Sequence, residues 1–590
     1  MPDASAPFPY QDPTLAPAAR ARDLVSRMSI EDKAGTMFLS IVSVGPVDEP
    51  NTMFGLPSLA SLAINHRLTH LYVIGDANDS REFAQWVNSA QELALRSGLG
   101  IPITFSTDPR HGFVDNPAAS ALSSMFSLWP ESIGLAALRS PELVERFADI
   151  VRQEYVSVGL RSALHPQIDV ATEPRWARAG ATFGEDAGLT TELAAAYVRG
   201  LQGEKLGSSS VSAMAKHFPG GGPQKDGEDP HFTYGKEQVY PGGNFRSHLE
   251  PFIAAIDAGV ASMMPYYGMP VGTEYEEVGF AFNKAIVTDL LRTQLGFDGV
   301  VCTDFGLLTD IEILGAPMPA KAWGLETKTR QERIVRLLDA GVDQFGGEMC
   351  TEELVTAVRL GRVPESRLDE SVVRLLTQKI ELGLFEHPLA DEEQAVTIAG
   401  NDSFVAEGAA AQRASMTLLS NTERDGVPTL PITGAVKVYA ENIDISSEAD
   451  WTRVDSVEEA DLAVLHLSAP FEPRGPGFEL FFHAGSLEFT SEEQARLRGI
   501  CESVPTVIDI TLDRAAVLGD LVDCAAAIIA DYGASDAARL DVLTGRATPQ
   551  GRLPFDLPSS MDAVRDSRED TPFDTESPTF RFGHGLGYTD

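Results

Sequence analysis

One theme recurs eight times in the first two-thirds of the chain: a short apolar run that ends in polar residues, then a stretch with helical periodicity. The runs are GTMFLSI (35–41), HLYVIGD (70–76), ITFSTD (103–108), HPQIDVA (165–171), SAMAKHF (212–218), ASMMPYY (261–267), GVVCTDF (299–305) and VDQFGG (342–347). Between them lie amphipathic stretches such as SPELVERFADIVRQEYVSVG and KAIVTDLLRTQLG. A strand covered by helices on both faces reads as a continuous apolar run. Eight such units predict a (β/α)8 barrel, with a doubly wound open sheet as the structural alternative. A barrel gathers its chemistry at the carboxyl ends of its strands. Five of the runs carry ionisable groups there: Asp76, Asp108, Asp169, Lys216 with His217, and Asp304.

A chain of 590 residues exceeds one hydrophobic core. At EHPLADEEQAVTIAGN (386–401) the text turns acidic and the repeat stops. The barrel is therefore expected over 18–385, a linker over 386–401 and a second domain over 402–590. In that domain VKVYAENI (436–443), LAVLHLS (462–468), PTVIDIT (505–511) and AAAIIADY (525–532) alternate with helical stretches. They predict an α/β sandwich built on a mainly parallel sheet. The segment SAPFEPRGPGFELFFHAGSLEF (468–489) is long, rich in Gly and Pro, and aromatic. Connections of that length are usually functional when they are not disordered, and the aromatic content argues against disorder.

Charge narrows the partners. With 86 Asp plus Glu against 46 Lys plus Arg, the net charge is −40. Such a surface repels phosphate backbones and anionic lipid, which excludes nucleic acid and membrane surfaces as partners. A neutral sugar is indifferent to that field. Cys302, Cys350, Cys501 and Cys524 lie far apart, with no metal-ligand spacing, and read as buried thiols of a reducing compartment. The N-terminal stretch MPDASAPFPYQDPTLAPAARARDLV has no apolar core, and no run of eighteen apolar residues occurs. A cytoplasmic protein, compatible with a homo-oligomer, is the expectation.

GFDGVVCTDFGLLTD (296–310) places Asp304 where a buried strand meets its exit loop. A carboxylate there can attack an anomeric carbon, orient a ligand, or cap the next helix. Asp304-Phe305-Gly306 also spells a kinase motif, but neither the Gly-rich phosphate loop nor the HRD loop accompanies it. GFDGVVCTDFG resembles the nucleophile segment of family 3 glycoside hydrolases. HPQIDVATEPRWARAGATFGED (165–186), AMAKHFPGGG (213–222), STDPRHG (106–112), GRLPFDLP (551–558) and FRFGHGLGYTD (580–590) are similar to other segments of that family, in the family order.

The resemblance implies a retaining exo-β-glycosidase that needs no cofactor or metal. It would release terminal β-D-glucosyl units from a β-linked glucoside or oligosaccharide by double displacement. Asp304 would be the nucleophile. Asp108, Asp169, Arg175, Lys216 and His217 would hydrogen-bond the sugar hydroxyls, with Met264, Tyr267 and Phe305 completing the pocket. Phe305 stands where many members carry Trp. β-Xylosidase, β-N-acetylglucosaminidase and inactive carbohydrate-binding proteins are the alternatives on this scaffold.

Retention requires a second group to protonate the leaving oxygen, about 5–5.5 Å from the nucleophile when it is a carboxyl. APFEPRG (469–475) points to Glu472, with Glu479, Glu488, Glu492 and Glu493 as competing neighbours. KHFPGGGPQKDGEDPHF (216–232) offers instead Asp229 with His231, a pairing like that of the family's N-acetylglucosaminidases. Gly221 stands where those enzymes carry a second His. Glu472 is the expected acid and the dyad its rival. Trp323 is expected either to stack on a sugar or to fill a core.

Overall fold

The computed structural model describes residues 8–51, 55–75, 78–114, 116, 123–313, 315–424 and 426–588. Asp76, one of the ionisable strand ends, lies outside them. Eight strands form the first sheet: β1 (Phe38–Ser43), β2 (His70–Ile74), β3 (Thr104–Thr107), β4 (Leu160–Ala163), β5 (Ser212–Phe218), β6 (Ser262–Pro265), β7 (Val300–Val301) and β8 (Phe345–Gly346). All their pairings are parallel, in the order β8-β1-β2-β3-β4-β5-β6-β7. A parallel bridge between Cys302 and Gln344 joins β7 to β8 and closes the barrel. The open-sheet alternative is thereby removed.

The surrounding helices start where short polar side chains can satisfy a free backbone donor. Asp79, Ser140 and Asp186 accept from the amides of Glu82 (2.9 Å), Leu143 (3.1 Å) and Leu189 (2.7 Å). Seven of the eight apolar runs overlap a strand. The fourth differs: β4 is Leu160–Ala163, and HPQIDVA forms its exit loop. Arg161 disguises this strand, because a buried guanidinium breaks the apolar run. Its Nη2 donates to the carbonyls of Ser208 (2.8 Å), Ser210 (3.0 Å) and Leu382 (2.7 Å).

The stretch expected as a linker contains helix Glu392–Ile398, capped by Asp391. The next helix, Asp402–Ser415, sends Phe404 and Ala411 into the barrel's own core. The second sheet then runs in the order β9 (Thr417–Asn421), β14 (Ala527–Asp531), β13 (Thr506–Thr511), β12 (Leu462–Ser468), β10 (Val436–Glu441) and β11 (Trp451–Val454). Only β9 is antiparallel. Alternate residues enter opposite cores, as strand pleating requires. Val464, Val507 and Ile529 pack under helix Asp536–Leu543, while Leu465, Ile508 and Ile528 share a core with Leu497 and with Ile133 of the barrel domain. β9 and β11 were not among the expected strands. TLLSN sits against a helix without a break, and WTRV is a half-exposed edge.

The exit of β12 and the domain contacts position the long 468–489 segment. Arg514, fully buried, donates to the carbonyls of Pro470, Ala484, Gly485 and Ser486, which pins both ends of that segment. It also donates to the Arg175 carbonyl of the barrel domain at 3.0 Å. Among the described residues no helix is long and apolar enough to cross a membrane.

Replacing Arg161 with Ala leaves the buried carbonyls of Ser210 and Leu382 without this donor. Such losses amount to about 2–4 kcal/mol. Thermal or urea unfolding of Arg161→Ala should show this destabilisation; a midpoint equal to wild type would contradict it.

Candidate active site

At the carboxyl ends of the barrel strands a cavity of about 590 Å³ opens. That volume is within the range of small-molecule sites. It is lined by Tyr72, Asp108, Lys216, His217, Met264, Tyr267, Asp304 and Phe305, together with Arg178, His231, Lys321 and Phe478. Phe478 comes from the 468–489 segment, so the second domain supplies part of the wall. A second lobe of about 400 Å³ shares Asp108, Arg178, Lys216, His231 and Phe478 with the first.

Asp304 follows β7 and is almost fully buried. Its Oδ1 accepts from Tyr267 OH at 2.8 Å and from the Phe305 amide at 2.7 Å. Its Oδ2 has no hydrogen-bond partner among the described residues. The nearest cationic or imidazole nitrogen is His217 Nε2, at 3.5 Å. One oxygen is thus held and the other is free.

His217 is oriented from behind. Asp169, fully buried, faces His217 Nδ1 with Oδ2 at 2.8 Å and accepts the His217 and Gly221 amides on Oδ1. Burial pushes the His217 pKa well below the ordinary value, aided by the charge of Arg178. The ring is therefore neutral, with its proton on Nδ1 toward Asp169 and Nε2 left as an acceptor for a hydroxyl. Burial raises Asp169 to about 6. Asp169 is a support for His217 and does not line the cavity.

Lys216 Nζ donates to Asp108 Oδ1 at 2.6 Å, and Tyr72 OH donates to Oδ2 at 2.8 Å. Burial alone would raise the Asp108 pKa, but Lys216 and Tyr72 reverse that and hold it below the ordinary value. The group stays ionised, with its ammonium partner able to reach a second oxygen. Phe305 packs edge-on against Tyr72 at 5.0 Å between ring centroids. A Cβ on Gly347 would meet Phe305 Cβ at 2.8 Å, so the glycine makes room for this wall. Met264 forms part of the apolar floor with Leu39, Leu164 and Met214.

Arg175 stands outside the cavity. Its Nε and Nη2 clamp the buried carboxylate of Glu173 at 2.8 and 2.9 Å. Arg178, three residues on, lines both lobes, and its Nη1 is buried without a partner. Both arginines belong to PRWAR, and nothing in that pentapeptide says which one the chain turns inward.

Glu472 also stands apart. Its side chain is 59% exposed, 4.0 Å from Arg474, in a groove that holds Arg175, Asp226 and Glu228. His231, in contrast, is in the wall, with Asp229 buried behind it. Asp229 Oδ1 accepts the His231 amide at 3.0 Å and faces its Nδ1 at 2.6 Å. The His231 ring lies 4.6 Å from that of Tyr267, whose hydroxyl donates to Asp304. Gly221 has no room for the His of the related motif, since a Cβ there would fall 2.8 Å from Tyr266 Cε1. Trp323 is core: it is buried and its Nε1 donates to the Pro230 carbonyl at 2.9 Å.

A closed parallel barrel with carboxylates, cations and one free carboxylate oxygen at its mouth has the equipment of an enzyme for a neutral, hydroxyl-rich substrate. Family models agree on the class. The glycosyl hydrolase family 3 N terminal domain matches residues 40–378, and the family 3 C-terminal domain matches 338–588. The chain belongs to glycosyl hydrolase family 3 and is a glycoside hydrolase. It is 51% identical over 589 residues to "Probable beta-glucosidase C" of Aspergillus flavus, covering 99% of this chain and 93% of that protein. It is 39% identical to the "Periplasmic beta-glucosidase/beta-xylosidase" of Dickeya chrysanthemi, with 98% and 91% covered. Its fold resembles the crystal structure of a beta-glucosidase from Listeria innocua in complex with isofagomine. The TM-score there is 0.77 at 21% identity, covering 97% of this chain and 83% of that one.

The two arginines should separate. Arg178→Met is expected to lower kcat/KM by about a hundredfold with little change in stability. Arg175→Met should leave kcat/KM of the folded enzyme within about threefold while lowering its melting temperature, because buried Glu173 loses its partner. Activity loss confined to the Arg175 variant would reverse the assignment.

Proposed function

We propose that this glycoside hydrolase is a retaining β-glucosidase acting on the non-reducing end of its substrate, with Asp304 as nucleophile. The observation that carries the reading is the divided state of Asp304. Tyr267 and the Phe305 amide fix Oδ1, leaving Oδ2 buried and without a hydrogen-bond partner in a residue that lines the cavity. Oδ2 attacks the anomeric carbon as the glycosidic C–O bond breaks, and the leaving oxygen takes a proton. Water then attacks the glycosyl-enzyme, gives up a proton, and releases the sugar with its β configuration. Asp108, Lys216, His217 and Arg178 line the cavity and supply donors and acceptors for the sugar hydroxyls. The names of the relatives support a glucoside, with a xyloside as the second substrate to test. A cytoplasmic location is part of the same reading, supported by four cysteines without a disulfide. The net charge of −40 supports a neutral glycoside as the partner, with no nucleic acid or membrane.

His231, oriented by Asp229, is the proton donor best placed in the wall. Glu472 is the second reading, because it lies on the segment that closes the cavity through Phe478. Burial lowers the His231 pKa, with the charge of Asp229 opposing. A general acid must be protonated, so activity should fall as pH rises through a value below the ordinary 6.5 of histidine.

Asp304→Asn should fold normally and keep less than about 1% of turnover, since the nucleophile has no substitute. NMR of the wild-type reaction at early times should show the β anomer first; initial α anomer would mean inversion.

The acid is tested by leaving-group dependence. An activated phenolate departs with little help, so loss of the acid slows an alkyl glucoside far more than a dinitrophenyl one. His231→Ala should behave this way and yield β-glucosyl azide when azide is added, while Glu472→Ala stays near wild type. The opposite pattern places the acid on the second-domain segment.

A further inference from the structure

Four lysines are buried among the described residues: Lys33, Lys216, Lys321 and Lys379. Three have partners. Lys33 pairs with Glu365 and Asp369, each at 2.6 Å, and Lys216 with Asp108. Lys379 donates to the Thr69 carbonyl at 2.9 Å and Thr104 Oγ1 at 2.5 Å. Lys321, only 3% exposed, has neither a hydrogen bond nor an ion pair for its ammonium among the described residues. Its Nζ lies 5.8 Å from the centroid of the Tyr267 ring and lines the cavity beside Asp304.

A lysine this deeply placed, its ammonium open only to the cavity and without an ion pair, is costly, so the fold holds it there against a penalty. The backbone shows how it is held. The Lys321 amide donates to the Gly306 carbonyl at 3.0 Å, and the Ala320 amide to Asp310 Oδ1 at 2.8 Å. Gly306 has φ +76°, and a Cβ there would stand 2.9 Å from Lys321 Nζ, so this glycine opens the space that the ammonium occupies. Two residues further, Trp323 ties the segment to Pro230, between Asp229 and His231. Asp304, Glu348 and Asp229 are the carboxylates whose charge it feels, none close enough for an ion pair. Glu348 is engaged elsewhere, accepting from the Leu308 and Thr309 amides.

The free donor therefore awaits an oxygen that arrives with the substrate. A sugar whose anomeric carbon faces Asp304 presents its ring oxygen on one side and its 2-hydroxyl on the other. Positive charge grows on the ring oxygen in an oxocarbenium-like transition state, and a cation there would oppose catalysis. A hydrogen bond at the 2-hydroxyl strengthens in that same transition state. We infer that Lys321 donates to the 2-hydroxyl of the sugar attacked by Asp304, which makes it a binding residue specific for 2-hydroxy glycosides. The inference rests on the reading of Asp304 as nucleophile.

The test compares Lys321→Met with wild type on p-nitrophenyl β-D-glucoside and on its 2-deoxy analogue. A charge-assisted hydrogen bond predicts a loss in kcat/KM of roughly ten- to a hundredfold on the glucoside. On the 2-deoxy substrate the variant should lie within about threefold of wild type, because the partner is already gone. Equal losses on both substrates, or none on either, would overturn the inference. The substrate-free variant should melt no lower than wild type, because an unpaired buried charge has been removed. A clearly lower melting temperature would reveal a structural partner and would also overturn it. Asp304→Asn is assayed alongside: activity retained there refutes the nucleophile reading, whereas an inactive Asp304→Asn with an indifferent Lys321→Met refutes this inference alone.

Discussion

Closure of the barrel between β7 and β8 is the constraint on which the site depends. The two strands are only two residues long and meet through the Cys302–Gln344 bridge, reinforced by the Thr303 amide donating to the Gln344 carbonyl at 2.9 Å. The residue after that contact is Asp304. Parallel strands in a closed ring direct every carboxyl end to one mouth. Asp108 from β3, Lys216 and His217 from β5, Tyr267 after β6 and Asp304 after β7 are therefore brought together across nearly 200 residues of chain. In an open sheet they would be spread along an edge.

The second domain completes the site through buried ionisable side chains used as clamps. Arg514 gathers four carbonyls of the 468–489 segment and one of the barrel domain. In the other direction, Glu185 of the barrel domain accepts the Asp556 amide at 3.0 Å and the Phe573 amide at 2.5 Å. The bonds from the Arg514 guanidinium are charge-assisted and stronger than neutral ones. Burial raises the Glu185 pKa to about 8, so its two bonds draw less on charge near neutral pH. The consequence reaches the chemistry, because the segment so held delivers Phe478 to the cavity wall.

Basic and acidic side chains are interleaved at the mouth. The cavity lining sets Arg178, Lys216, Lys321 and Arg330 among Asp108, Asp304, Glu312, Glu348, Glu352 and Glu353. Neutral His217 adds an acceptor without adding charge. Arg178, Lys216 and Lys321 supply donors for hydroxyl oxygens at this mouth.

The sequence by itself determined the architecture and placed Asp304 at the end of a barrel strand. Apolar runs of strand length, spaced by amphipathic stretches, are set by burial alone, and burial is a local property of the text. Asp304 was legible because it ends such a run. Tertiary structure alone decided which neighbouring polar groups turn inward. Arg178 and not Arg175 enters the cavity, since Glu173 captures the latter. Glu472 faces a groove beside Arg474, while His231 joins the wall. β4 was hidden because Arg161 spends its donors on carbonyls from distant loops, and Lys321 follows a hairpin with no periodicity to mark it. Side-chain direction on a loop is fixed by partners remote in sequence, and a single chain of letters does not encode those contacts locally.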